Sequence, residues 1–116
     1  MALELNEIFI KMIAQARTET DGTLVVTVMV NALDRSNAAE FREVVAPAAA
    51  AATGCAMVDC SQIEFIDSSG VGALIFMRNQ LPEALLPLRL SGVGTRMLTG
   101  LELLQVHRLF EIEPRK

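Results

Sequence analysis

Between Met57 and Leu74 the chain reads Met-Val-Asp-Cys-Ser-Gln-Ile-Glu-Phe-Ile-Asp-Ser-Ser-Gly-Val-Gly-Ala-Leu. An apolar, strand-like run halts at the polar turn Asp67-Ser68-Ser69-Gly70, and apolar residues then recur at helical spacing. A strand that opens through a short turn directly into a helix is the unit of layered α/β folds. The turn also sets a serine hydroxyl at a helix N-terminus, where unpaired backbone N–H groups and the helix dipole favour negative charge. Such a place is suited to carrying a phosphate.

The flanking sequence repeats this alternation of strand and helix. Residues 6–18 read as a strand with partial alternation, Asp21-Gly22 as a hairpin turn, and Leu24–Val30 as the β-branched return strand. Asn31–Asn37 breaks the strand and offers several helix-cap residues. Ala38, Phe41, Val45, Ala48 and Ala52 then recur with helical period, with Pro47 expected to kink the last turns and Gly54 to end them. Cys55–Cys60 is expected to be a central strand covered on both faces. The helix after the turn carries Val71, Leu74, Ile75 and Leu81 and closes near Pro82. Leu86–Leu90 follows as a strand, Ser91–Thr95 as a loop, Met97, Leu98, Leu101 and Leu104 as a third helix, and Leu109–Ile112 as a last strand. The order β-β-α-β-α-β-α-β predicts one α/β domain over residues 1–116: a mixed, mostly parallel sheet of about five strands with three to four helices, starting with a β-hairpin.

Composition closes off several functions. With 52% apolar residues the chain can fill a core, yet no apolar run nears the ~18–20 residues that cross a bilayer. The N-terminus lacks a basic segment followed by an apolar block, so no secretory leader is expected and the chain is expected to be cytoplasmic. A net charge of −4, scattered basic residues and no Trp or Tyr argue against nucleic acid as a partner. Cys55 and Cys60, on one extended segment, would lie roughly 17 Å apart, too far for a disulfide, which needs Cα atoms within ~7 Å. They are expected to be reduced core residues. A single histidine, His107, with no carboxylate–histidine cluster, makes neither a metal site nor a cofactor expected. The six methionines are expected to fill the core.

Two motifs, roughly thirty residues apart, carry a family resemblance: Leu33-Asp34-x-x-Asn37-Ala38-x-x-Phe41-Arg42, and Phe65-Ile66-Asp67-Ser68-Ser69-Gly70-Val71-Gly72. In this element order they resemble the STAS domain of bacterial anti-sigma-factor antagonists, and the resemblance spans nearly the whole chain. It implies a switch protein and not an enzyme. Ser68 would be the phosphoacceptor of a partner serine kinase of the GHKL ATPase type that doubles as an anti-sigma factor, and a serine phosphatase would reset it. Asp34, Asn37, Asp67, Ser68 and Ser69 would form the partner-binding face, and Gly70 and Gly72 would serve the turn and its packing. Two positions depart from the pattern: Asn31 stands where the family usually has glycine before the Leu-Asp pair, and Gln105 where glycine commonly ends the third helix.

The same residues have plainer readings. Ser68 and Ser69 can simply cap the helix, as serines before helices commonly do, and Asp34 and Asn37 are ordinary helix-start residues. Asp67 fits a cap or orienting group better than a participant in phosphoryl transfer. Gly70-x-Gly72 has no lysine at P-loop spacing, and the segment is not the Gly-x-Ser-x-Gly of a hydrolase. The alternatives to a switch are a STAS scaffold in a signalling assembly and a STAS subunit on the cytoplasmic face of a lipid or anion transporter.

Overall fold

The structure is a computed structural model and describes residues 12–116. The first two strands, β1 (Ala14–Thr18) and β2 (Leu24–Val28), form an antiparallel hairpin with Ala14 opposite Val28 and Thr18 opposite Leu24. Its turn is held by the Glu19 N–H donating to the Thr23 carbonyl at 2.8 Å and the Thr23 N–H donating to Asp21 Oδ1 at 2.9 Å. The first strand is shorter than its sequence pattern: Met12 and Ile13 are helical, and residues 6–11 of the expected strand lie outside the described residues.

Beyond the hairpin the chain alternates. β3 (Ala32–Leu33) leads to α1 (Ala38–Ala50), β4 (Ala56–Asp59) and β5 (Phe65–Ile66) to α2 (Ser68–Gln80), β6 (Leu88–Val93) to α3 (Thr95–Leu103), and β7 (Phe110–Pro114) closes the order. The main sheet has five strands in the order β1-β2-β4-β6-β7, parallel except for the first pair. Strand β6 runs three residues past its expected end and carries an irregularity between Leu90 and Val93, where Gly92 takes a φ of +67°.

Helix α1 buries Ala38, Phe41, Val45 and Ala49, a stripe at helical spacing that packs on α2 and on the hairpin. Pro47 lies in its last turn, where only the bond to the preceding turn is lost, and the helix continues to Ala50. Gly54 does not terminate it. A Cβ there would lie 2.5 Å from the Gly22 carbonyl oxygen, so Gly54 lets this loop close on the hairpin turn. Val71, Leu74 and Met77 of α2 and Met97 and Leu101 of α3 complete the core over Val26, Val58 and Leu90.

Three expectations change here. Strand β4 alternates buried and half-buried residues, so one face only is fully covered among the described residues. Of the two cysteines, both just outside β4, Cys60 is buried and Cys55 exposed; burial pushes the Cys60 thiol far above its ordinary range. Met77 and Met97 fill the core, but Met12 and Met29 are exposed, as is Leu104 at the end of α3. Among the described residues no helix is long and apolar enough to cross a membrane.

Candidate functional site

The short strands β3 and β5 pair in parallel, Ala32 with Phe65 and Leu33 with Ile66, as a separate two-stranded ribbon. Each strand ends in an apolar residue followed by aspartate, so the ribbon delivers Asp34 and Asp67 to the same edge. The Asn31 carbonyl starts this pairing by accepting the N–H groups of Glu64 and Phe65 at 2.6 and 3.1 Å. Asn31 keeps a negative φ: Gln105, at +57°, is the only non-glycine residue with positive φ among the described residues. The departure from glycine at residue 31 therefore leaves the loop without left-handed strain.

From this edge two loops enter two helices. Asp67 is the N-cap of α2, its Oδ1 accepting the Gly70 N–H at 2.9 Å. Its Oδ2 accepts the Arg35 N–H at 3.1 Å, so one carboxylate ties the start of α2 to the loop before α1. The Gly70 N–H, then those of Arg35 and Ser69, and last the Arg35 charge, hold the Asp67 carboxyl below its ordinary range against partial desolvation. Asp34 folds back on its own loop, Oδ1 accepting the Ser36 N–H at 2.9 Å and the Ser36 hydroxyl at 2.6 Å.

Asn37 is only 7% exposed. It precedes α1 without a side-chain cap bond to that helix. Its Oδ1 accepts the Asp34 N–H at 3.0 Å and its Nδ2 donates to the Ala32 carbonyl at 2.9 Å. This residue braces the loop from within, where the sequence offered a cap or a surface contact.

Ser68, the first helical residue of α2, is exposed, and its hydroxyl has no hydrogen-bond partner among the described residues. The capping reading of the serine is thus filled by Asp67. Ser69 is half-buried behind it. Gly70 is required by contact: a Cβ there would lie 2.1 Å from the Leu33 carbonyl oxygen and 2.8 Å from Ile66 Cγ1. Gly72 has no such close backbone neighbour. The nearest atom to a Cβ at this position is Arg42 Nη2, at 3.4 Å, and that guanidinium lies over the Phe76 ring, 5.4 Å from its centroid.

Two features of this edge escaped the sequence. One is Arg35, joined to Asp67 across 32 positions of sequence. The other is an open groove of about 330 Å³ between β5 and α3, lined by Phe65, Ile66, Arg96, Thr99, Gly100 and Leu103. Phe65 and Leu103 are exposed there. The signal for Phe65 was its position next to Ile66, since neighbours on a strand face opposite ways. Among the described residues no group of three or more His, Cys, Asp or Glu is placed to hold a metal ion.

Solved structures share this architecture. An anti-sigma factor antagonist from Mycobacterium paratuberculosis is similar at a TM-score of 0.75 and 20% identity, over 87% of this chain and 84% of that one. The phosphorylated Bacillus cell fate determinant SpoIIAA is similar at 0.62 and 20% identity, over 85% and 89%. The murine anion transporter Slc26a9 contains a similar region at 0.65 and 13% identity, covering 95% of this chain and 22% of the transporter. At these identities the likeness is one of fold. None of the curated proteins compared with the chain matches it. A family model described as Mlab, STAS domain matches residues 13–111, and with that match, on a sheet and ribbon of this topology, the chain belongs to the STAS domain family.

Proposed function

We propose that the protein is a non-enzymatic, phosphorylation-controlled interaction switch of the anti-sigma-factor-antagonist kind, working in the cytoplasm. Unmodified, it binds a partner anti-sigma factor that is also a serine kinase of the GHKL ATPase type. Phosphorylated on Ser68 it lets that partner go, and a serine phosphatase restores it. The observation that carries this reading is Ser68 itself: an exposed hydroxyl on the first residue of α2, relieved of capping because Asp67 does it. A phosphate there adds nearly two negative charges beside Asp34 and Asp67, so a partner surface fitted to the neutral serine meets repulsion without any change of fold. Asp34, Asp67, Ser68 and Ser69 form the partner face in this reading, and Asn37 acts indirectly by bracing the loop that carries Asp34.

Intact mass and phosphopeptide mapping of the protein from its native host, in growth and under stress, test the proposal. The expected result is a phosphate on Ser68 whose occupancy changes between the two conditions. Its absence in every condition, with phosphatases inhibited, overturns the switch. The occurrence of this fold within an anion transporter favours a second reading, a STAS subunit on the cytoplasmic face of a lipid or anion transporter. Co-purification with a membrane permease and an unmodified Ser68 would establish it instead.

A further inference from the structure

Resting on the reading of Ser68 as a phosphate carrier, we propose that Arg35 is the residue that pairs with that phosphate. Modification then has two effects at once: it adds negative charge at Ser68 and withdraws a cation from the surface a partner meets. The argument starts from the amides at the head of α2, where a phosphate would ordinarily turn. The Gly70 N–H donates to Asp67 Oδ1 at 2.9 Å, and the Val71 N–H donates to the Asp67 carbonyl at 2.9 Å. That leaves the Ser68 and Ser69 amides of the first turn, the latter also turned to the Asp67 carboxylate, so with the carboxylates of Asp34 and Asp67 adjacent a cationic side chain supplies the larger compensation.

The charged groups on the surrounding elements narrow the choice. Arg42, on α1, is stacked on Phe76 beside Gly72, more than a turn along α2 from Ser68. Arg96, on α3, lines the groove with Phe65 and Leu103. Glu64, before β5, is paired with Arg115 at 3.1 Å. Arg35 differs from all of these. Its N–H donates to Asp67 Oδ2 at 3.1 Å, which fixes its backbone against the residue preceding Ser68. Its side chain, like those of Arg42 and Arg96, is exposed and forms no ion pair among the described residues, so the tie to Asp67 is what sets it apart. A guanidinium is also the group best matched to a phosphate, with two parallel N–H donors. In the unmodified protein the same guanidinium is free to meet a carboxylate on the partner. Phosphorylation turns it inward.

The test is a ³¹P NMR titration of the full chain with phosphoserine placed at position 68 during translation. An unpaired phosphoserine loses its second proton near pH ~6. The expected midpoint for the wild-type background lies about half a pH unit below that of R35Q, the size of a well-formed exposed ion pair. R35K should retain part of the depression, R42Q should leave the midpoint at the wild-type value, and ~1 M salt should erase the difference. Coincident titrations of wild type and R35Q, or an equal shift from R42Q, would overturn the pairing. R35Q keeps the backbone N–H that binds Asp67, so the loop is preserved. Because no kinase is needed, this result is independent of the host mapping: lack of native phosphate defeats the switch, and an unmoved midpoint defeats the role of Arg35.

Discussion

A methyl group at residue 70 would have to occupy space 2.1 Å from the Leu33 carbonyl oxygen, a backbone atom that cannot step aside without breaking the ribbon. G70A is therefore expected to lose about 3 kcal/mol or more, the scale of severe overpacking. Two residues on, the nearest obstacle is the end of a flexible arginine at 3.4 Å, and alanine improves helix propensity by about 1 kcal/mol. G72A is expected to stay within about 1 kcal/mol of the wild type, on either side of it. Urea unfolding midpoints of the two variants, measured side by side, check the contrast. A similar loss for both would mean that the backbone contact at Gly70 is not what the motif protects. Gln105 is the converse case, a side chain at a φ of +57°. The Gln105 N–H donates to the Glu102 carbonyl at 2.9 Å and the Val106 N–H to the Leu101 carbonyl at 3.0 Å, the bond pair of a left-handed helix stop. Q105G is expected to stabilise the protein by about 1 kcal/mol by removing the left-handed strain, and a thermal or urea unfolding curve reads it directly.

At the scale of elements, the ribbon of β3 and β5 is what makes two motifs into one site. Each strand has two residues, too short to be stable alone, and Asn37, the Asn31 carbonyl and Asp67 supply the bonds that hold the pair and its loops. Asparagine can still cap α2 but lacks the second oxygen that accepts the Arg35 N–H, so D67N is expected to cost about 1–2 kcal/mol at neutral pH through that bond and the lost charge. The pH dependence follows from the lowered folded value. The stabilisation from the carboxylate is complete at neutral pH, declines once the unfolded carboxyl protonates near its ordinary 3.8, and is gone below the depressed folded value. Stability curves of wild type and D67N should therefore converge as pH falls through this range. A gap that stays constant in acid would show that the carboxylate's charge is not the source. Neither motif announces this ribbon in sequence, because two-residue strands have no period to detect and their pairing joins segments roughly thirty residues apart.

Over the whole molecule, the proposed switch requires that Ser68 be energetically quiet. Its side chain is exposed and hydrogen-bonded to nothing among the described residues, so S68A and S68D are each expected to remain within about 0.5 kcal/mol of wild-type stability. S68D should weaken capture of the partner kinase by at least tenfold, while S68A retains it. Denaturation and a binding titration on the same samples separate the two effects. A folding defect in S68D would recast Ser68 as structural. The hairpin, the three helices and the mostly parallel sheet were legible in the chain because each rests on local signals: Asp21-Gly22 at a turn, Phe41 and Val45 on one helical stripe, Leu88 and Leu90 on one strand face. Burial at strand ends was not. Cys55 and Cys60 share a segment and a chemistry, yet only Cys60 is covered, since residues five apart on extended chain face opposite ways and Cys60 shares the buried face of Ala56 and Val58. The serine of Asp67-Ser68-Ser69-Gly70 and its position at the head of a helix are properties of the sequence, set by turn chemistry within a few residues. That Asn37 is buried as a brace, and that the Arg35 N–H is held by Asp67, were decided by the tertiary structure alone. Hydrogen bonds across a parallel ribbon are fixed by register between distant strands, and no local pattern in the chain encodes that register.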